Sequence, residues 1–295
     1  MEMVYRLEKD IFQPQDHKEK IIQQYYDRIC RDSILFFIVL GSITIFLYTI
    51  SHILLMKPPE VLPYRGAIPF DYSISYIYWI VAIEQIYAVI GAASVNAAFG
   101  AFFPSIMIQI CAKIKILVHR FQITLSTLEH ISSQKNLSPY EVSMIEQKLI
   151  SKWLKNHLEI LRLFEYAKSL FSTVVFIHYV ITAFALCTIA YVLSNTDFHS
   201  VNFIGNFLFF IAMMSLQFLQ CISANQVTEE FASLHNIIYD TNWYAVSNNV
   251  RRSMVIIMTQ TLQPIIFSSG HFVTLSIESF KHVLKASYTI YNVLA

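Results

Sequence analysis

The chain has 295 residues, 55% of them hydrophobic and 14% charged, with a mean hydropathy of +0.49. That balance excludes an ordinary soluble domain, which could not bury so much apolar surface, and it points to a membrane protein with the lipid bilayer as its first partner. The formal charge of +1 excludes an electrostatic nucleic-acid binder.

A bilayer core about 30 Å thick requires about 20 mainly apolar residues in a helix. Residues 1–31 are charged and polar where a cleavable signal would need an apolar run, so the first span is expected to act as the insertion signal. Residues 34–56 carry no charge, and Pro58 and Pro59 stop that helix. Residues 72–111 form a longer apolar run whose one charge is Glu84. Residues 170–193 and 201–223 read as a helical hairpin with Asp197 and His199 in its link. A fifth region begins near Ser253, with two readings. Either 253–277 crosses, despite Pro264 and Gly270, or a helix over 276–294 does.

Between the second and third spans, the link 112–169 is basic, with Lys113, Lys115, Arg120, Lys148, Lys152 and Lys155 among its residues, and the segment before the first span is basic too. By the positive-inside rule both are expected in the cytoplasm, and five crossings then put the carboxyl terminus outside. The sequon at Asn136 falls in this link, ahead of Pro139, and is expected to stay unmodified. Within the link Ile114, Leu117, Phe121, Leu125 and Leu128 recur three or four apart, as do Leu149, Trp153, Leu161 and Phe164. Two amphipathic helices around a turn near 136–139 follow, and 227–249 reads as another. The fold expected is all-α: a polytopic bundle of about five spanning helices with a cytoplasmic helical anchor layer. One membrane domain, 1–295, divides into a cytoplasmic segment 1–33, four spans over 34–225, an anchor helix over 226–262 and a last helix over 263–295.

Several residues are candidates for chemistry. Glu278, Lys281, Lys285, Thr289 and Asn292 fall three or four apart and make one polar stripe. Such charges are costly against lipid, so the stripe faces water or protein in a crossing helix, or lies at the membrane surface as an amphipathic tail. Tyr48 and His52 are i,i+4 neighbours, and Tyr76, Ile80, Ile83 and Tyr87 share a face; they line a small-ligand cavity or pack the core. Glu84 and His178 stand alone in separate spans. The four cysteines show neither a CxxC nor a metal-ligand spacing, and no HExxH or GxSxG motif is present, so neither a cofactor nor an enzyme is expected. No internal repeat supports a transporter built from related halves.

The last third carries a more specific pattern. The run 238–244, Arg251-Arg252, Gln263-Pro264, 269–272, Leu275-Ser276, Phe280, 283–288 and Val293-Leu294 resembles the last cytoplasmic and last membrane helices of insect odorant receptors. That family ends in a Ser-Tyr, aromatic, Val-Leu pattern similar to 287–294, a better fit than the related gustatory receptors. Leu62-Pro63-Tyr64 and 68–71 resemble one of its extracellular loops. The resemblance implies an odorant receptor subunit in the plasma membrane of olfactory sensory neuron dendrites. It would gate a non-selective cation channel with a co-receptor, in a heterotetramer opened by small volatile ligands. It implies that the five spans correspond to the family's third through seventh, so the chain looks truncated at its amino terminus. It implies that a helix from about Pro264 to Leu294 lines the pore, with Lys281, Lys285 and Thr289 on its stripe and Val293 at the constriction, and that Tyr239 and Trp243 lie in the inter-subunit anchor.

Overall fold

The computed structural model describes residues 2–7, 10–54, 62–64, 68–69, 71, 74–133, 138–197, 200–241, 247–262, 265–269 and 273–294. Among these the chain forms helices α1 (Glu2–Leu7), α2 (His17–Leu54), α3 (Ser75–Ser133), α4 (Pro139–Ser194), α5 (Val201–Tyr239), α6 (Asn248–Thr261) and α7 (Ile277–Leu294). A 3-10 turn occupies Asp10–Phe12, and strands β1 (Ser268–Ser269) and β2 (Val273–Thr274) pair antiparallel as a short hairpin.

Helices α2 to α5 are long and apolar enough to cross a membrane. The longest, α3, has 59 residues, and α4 has 56. At about 1.5 Å of rise per residue, 59 residues run roughly 90 Å, three times the hydrocarbon thickness. The amphipathic pieces expected in the link are therefore continuations of the spanning helices. Ser138 begins α4 with a capping box: its Oγ donates to Glu141 Oε2 at 2.9 Å, and Glu141 N donates back to Ser138 Oγ at 3.3 Å.

Two expectations change. The stretch 227–249 is not one helix: α5 runs unbroken from its span to Tyr239, where Asp240 N and Thr241 N close the last turn on Asn236 O and Ile238 O, and α6 starts at Asn248. Asp, Thr and Asn at 240–242 favour local turns over helix. The helix read from about Pro264 begins at Ile277, after the β hairpin, and the alternative span 253–277 is not one helix either, since α6 ends at Thr261 and the strands follow. Pro264 and Gly270 are the residue types that interrupt a helix there. The anchor segment 226–262 accordingly holds the end of α5 and α6, and the last segment 263–295 holds β1, β2 and α7.

The residues group into two compact units. The first comprises Met1–Cys30, Ser105–Phe176 and Ile222–Ser276. Its core is the three-four stripe of α3, namely Met107, Ile110, Ile114, Leu117, Phe121 and Leu128, all fully buried. Trp153 on α4 donates from Nε1 to Leu117 O at 3.1 Å and packs on Phe121, and Phe164 meets Phe231 of α5 and Phe267 beside the hairpin. Two serines fasten the hairpin to α4: Ser172 Oγ donates to Ser268 O at 3.1 Å, and Ser269 Oγ to Ser172 O at 2.7 Å.

Cations on α3 hold the amino-terminal segment. Lys113 Nζ donates to Phe12 O at 3.0 Å, while Arg120 reaches Ile11 O, Gln13 O and both oxygens of Glu19, at 2.8 and 2.9 Å. Glu19 and Arg120 have side chains only 3% and 14% exposed. Glu19 precedes the apolar stretch that starts at Ile34. Burial alone would raise its carboxyl pKa, but the bonds from Arg120 and Gln15 N–H and the charges of Arg120 and His119 outweigh it, and the pKa lies below the usual carboxylate value.

The second unit comprises Arg31–Pro104, Ile177–Cys221 and Ile277–Ala295. Tyr78, Phe103, Leu186 and Leu216 are buried in it. At Gly100 of α3 a Cβ would stand 2.8 Å from Leu216 Cδ2 of α5, so the absence of a side chain allows this close approach.

Removing the cation beneath the amino-terminal segment tests what holds it. Arg120→Ala strands the Glu19 carboxylate and is expected to cost about 3–5 kcal/mol, read as a lower melting temperature, whereas Glu19→Leu with Arg120→Leu recovers most of that loss. The depressed carboxyl makes the pair's contribution full above the ordinary carboxylate pKa and lost as pH falls through the folded value. Wild type and Arg120→Ala should therefore converge in melting temperature on acidification, because protonation removes both the pair in the first and the stranded charge in the second.

Candidate pore-lining helix

Helix α7 is two-faced because its sequence alternates at helical spacing. One face is held inside the second unit. Val283 and Ser287 are buried, Phe280 packs on Phe218 of α5 with ring centroids 5.2 Å apart, and Tyr179 OH of α4 donates to Ser279 O at 2.9 Å. Cys187 Sγ of α4 donates to Ser287 Oγ at 3.4 Å, and Ser287 Oγ donates to Val283 O. On the other face Glu278, Lys281, Lys285, Tyr288 and Thr289 are exposed. The sequence stripe is thus one continuous polar surface over this length, and Thr289 turns its hydroxyl back onto Lys285 O at 2.8 Å. Val293 lies within α7, and its side chain is outside the described residues.

A half-buried polar cluster also joins three helices of this unit. His178 of α4 lies between Asn96 of α3, 2.9 Å from its Nε2 to Asn96 Oδ1, and Gln220 of α5, 3.3 Å from Gln220 Nε2 to its Nδ1. The imidazole thus has one ring nitrogen within hydrogen-bond distance of each neighbouring amide side chain. Phe99 lies 5.3 Å from its ring. His178, alone when read along the sequence, is part of a network. The cue in the sequence is weak: Gln217 and Gln220 fall on one face of an apolar span, and Asn96 interrupts another.

The other candidates do not converge. Tyr76, Ile80, Ile83 and Tyr87 share a face of α3, and it is open, with Tyr87 78% exposed. Tyr48 and His52 are in α2, with side chains outside the described residues. Glu84 is exposed, and its neighbour Gln85 accepts from Tyr64 N at 3.2 Å rather than serving the acid. Tyr239 is exposed at the end of α5, and Trp243 lies outside the described residues. No group of three or more His, Cys, Asp or Glu with metal-site geometry occurs among the described residues.

The family model described as 7tm Odorant receptor matches residues 1–288. Odorant receptor 19a of Drosophila melanogaster is 30% identical over 149 residues, covering 50% of this chain and 38% of that protein. The odorant receptor coreceptor of Harpegnathos saltator is 26% identical over 151 residues, covering 51% of this chain and 32% of the relative. Among solved structures, the insect olfactory receptor OR5 from Machilis hrabei in complex with eugenol superposes with a TM-score of 0.78 at 18% identity, over 95% of this chain and 69% of that one. That likeness carries the fold, and the aligned regions span 38% and 32% of these two curated relatives. The family model covers nearly the whole chain, its helices are those of a multi-pass membrane protein, and the chain belongs to the 7tm odorant receptor family.

Proposed function

We propose that this chain is an odorant receptor subunit that detects small volatile ligands and gates a non-selective cation channel, with a co-receptor subunit as partner in a heterotetramer. Its place is the plasma membrane of olfactory sensory neuron dendrites, with the amino terminus and the 112–169 link inside and the carboxyl terminus outside. The observation that carries this reading is α7. A helix with its apolar face held by Phe218, Tyr179 and Cys187 and its Glu278, Lys281, Lys285 and Thr289 face open has the make-up of a wall between protein and water. Copies arranged around an axis would line a pore with that stripe, and Val293 would form an apolar constriction that excludes ions by dewetting.

The co-receptor similarity and the family membership support association with such a partner, with Tyr239 and Trp243 in the contact. The eugenol bound in the similar receptor supports a small, mainly apolar ligand. Tyr48, His52 and the Tyr76, Ile80, Ile83 and Tyr87 face are the proposed contact surface for it, and Tyr and His supply the few polar groups such a site needs.

Charge placement in the pore gives the direct test. In a conducting complex with a co-receptor, Lys285→Glu replaces a cation on the stripe and should raise cation over anion permeability, seen as a shifted reversal potential in a salt gradient; an unchanged potential removes α7 from the pore. At the constriction, Val293→Gln should raise the unliganded leak current several-fold, and a leak equal to wild type counts against the gate. Trp243→Ala should lower the amount of co-receptor recovered with the tagged chain by more than half, with normal recovery placing the contact elsewhere.

A further inference from the structure

The seam between α3 and α4 in the first unit is closed along most of its length by large side chains, as where the Phe121 and Trp153 rings meet 4.9 Å apart. It opens near the amino-terminal segment. There α3 presents Ile123, Thr124 and Thr127, and α4 presents Leu149, Lys152 and Asn156; with the Gln15 to Glu19 segment they enclose a cleft of about 260 Å³. These positions flank the buried stripes of Phe121, Leu125 and Leu128 on α3 and of Ile150 and Trp153 on α4. The space exists because threonines and an asparagine stand where bulky apolar residues would fill it. Both threonine hydroxyls are spent on their own helix, on Arg120 O and Ile123 O at 2.8 Å.

The groups left unspent in the cleft define what it can hold. Its acids are engaged: Glu19 takes two bonds from Arg120 and one from Gln15 N, and Asp16 accepts from His17 N and lies 3.6 Å from His119 Nε2. Asn156 is 9% exposed, yet its amide makes no hydrogen bond among the described residues, and Lys152 forms no ion pair among them. The Asn156 amide lines the cleft and is free to donate there. Asn156 and Lys152 are i,i+4 neighbours on one face of α4, an N–H donor beside an ammonium, which is the donor pair for one small oxyanion. Ile123 and Leu149 add an apolar wall. The volume is below the roughly 300–1,000 Å³ of sites for drug-sized ligands, so the occupant is small. Lys152 precedes the apolar stretch at Leu170 by 18 residues, roughly 27 Å of helix, which is beyond the reach of lipid headgroups and makes the occupant water-borne.

We propose that this cleft is a binding site for a small amphipathic carboxylate from the aqueous phase. The carboxylate accepts from Lys152 Nζ and the Asn156 amide, and the apolar body lies against Ile123 and Leu149. This site is separate from α7 and from the Tyr76 to Tyr87 face, and the inference does not depend on channel gating.

The test is calorimetric titration of the full chain in lipid nanodiscs with 3-phenylpropionate. Two variants accompany it: Lys152→Gln removes the charge, and Thr124→Phe fills the space while keeping every charge. Both positions border the opening, and melting temperatures check that each variant is folded. The expected result is saturable binding that weakens at least fivefold in both variants, while binding of the isosteric 3-phenylpropan-1-ol is the same in Lys152→Gln as in wild type. Absence of saturable carboxylate binding, or a change below fivefold in either folded variant, overturns the proposal.

Discussion

Inside a bilayer no water is available to backbone amides, so every peptide group must be satisfied within its own segment, and the organisation of this protein follows from that constraint. Helices are the solution, and once formed they have no reason to stop at the lipid boundary. The 56 to 59 residues of α4 and α3 carry the same hydrogen-bonded ladder from apolar sequence into charged sequence. Only the side chains change, from exposed Phe, Ile and Val in the second unit to a Met107-to-Leu128 stripe packed on Trp153 and Phe164 in the first. The first unit can therefore be built like a water-soluble helical core, with interior aromatics and buried ion pairs, on helices that the membrane requires to be continuous.

What was legible in the sequence follows the same division. Charge-free runs of about 20 residues mark spans because lipid tolerates little else: the 170–193 and 201–223 runs fall inside helices, and so does the described part, 34–54, of the first. The α3 and α4 extensions could be read because Leu117, Phe121 and Leu128 repeat at the helical period. The polar stripe of α7 was equally plain, since Glu278, Lys281, Lys285 and Thr289 fall on one face whichever partner covers the other.

The start of α7 was not legible from hydropathy. Residues 265–276 are apolar enough to continue a helix, and what stops them is local chemistry together with a tertiary contact: Ser172 offers both its hydroxyl and its carbonyl to the hairpin, from nearly a hundred residues away. The Asn96, His178 and Gln220 cluster was hidden for a related reason. His178 stands alone in its own span, Asn96 and Gln220 carry no signal in theirs, and only packing brings them within 3.3 Å. The same holds for the cleft at Asn156, whose signal is a missing bulk rather than a present motif.

That cluster also answers how helices with so few small residues find a register. Lipid is as apolar as the helix surfaces, so burying Leu against Leu gains little there, and packing must be specified by close contact or by polar pairs. With six glycines in 295 residues, Gly100 against Leu216 supplies one close contact between α3 and α5. His178 supplies the complement. Its two ring nitrogens point to different helices, so one imidazole fixes the rotation of α4 against α3 through Asn96 and against α5 through Gln220. A displacement of either neighbour by one turn would leave a buried donor or acceptor without a partner, at about 1–3 kcal/mol each, which is ample to select one register among apolar alternatives that differ by less.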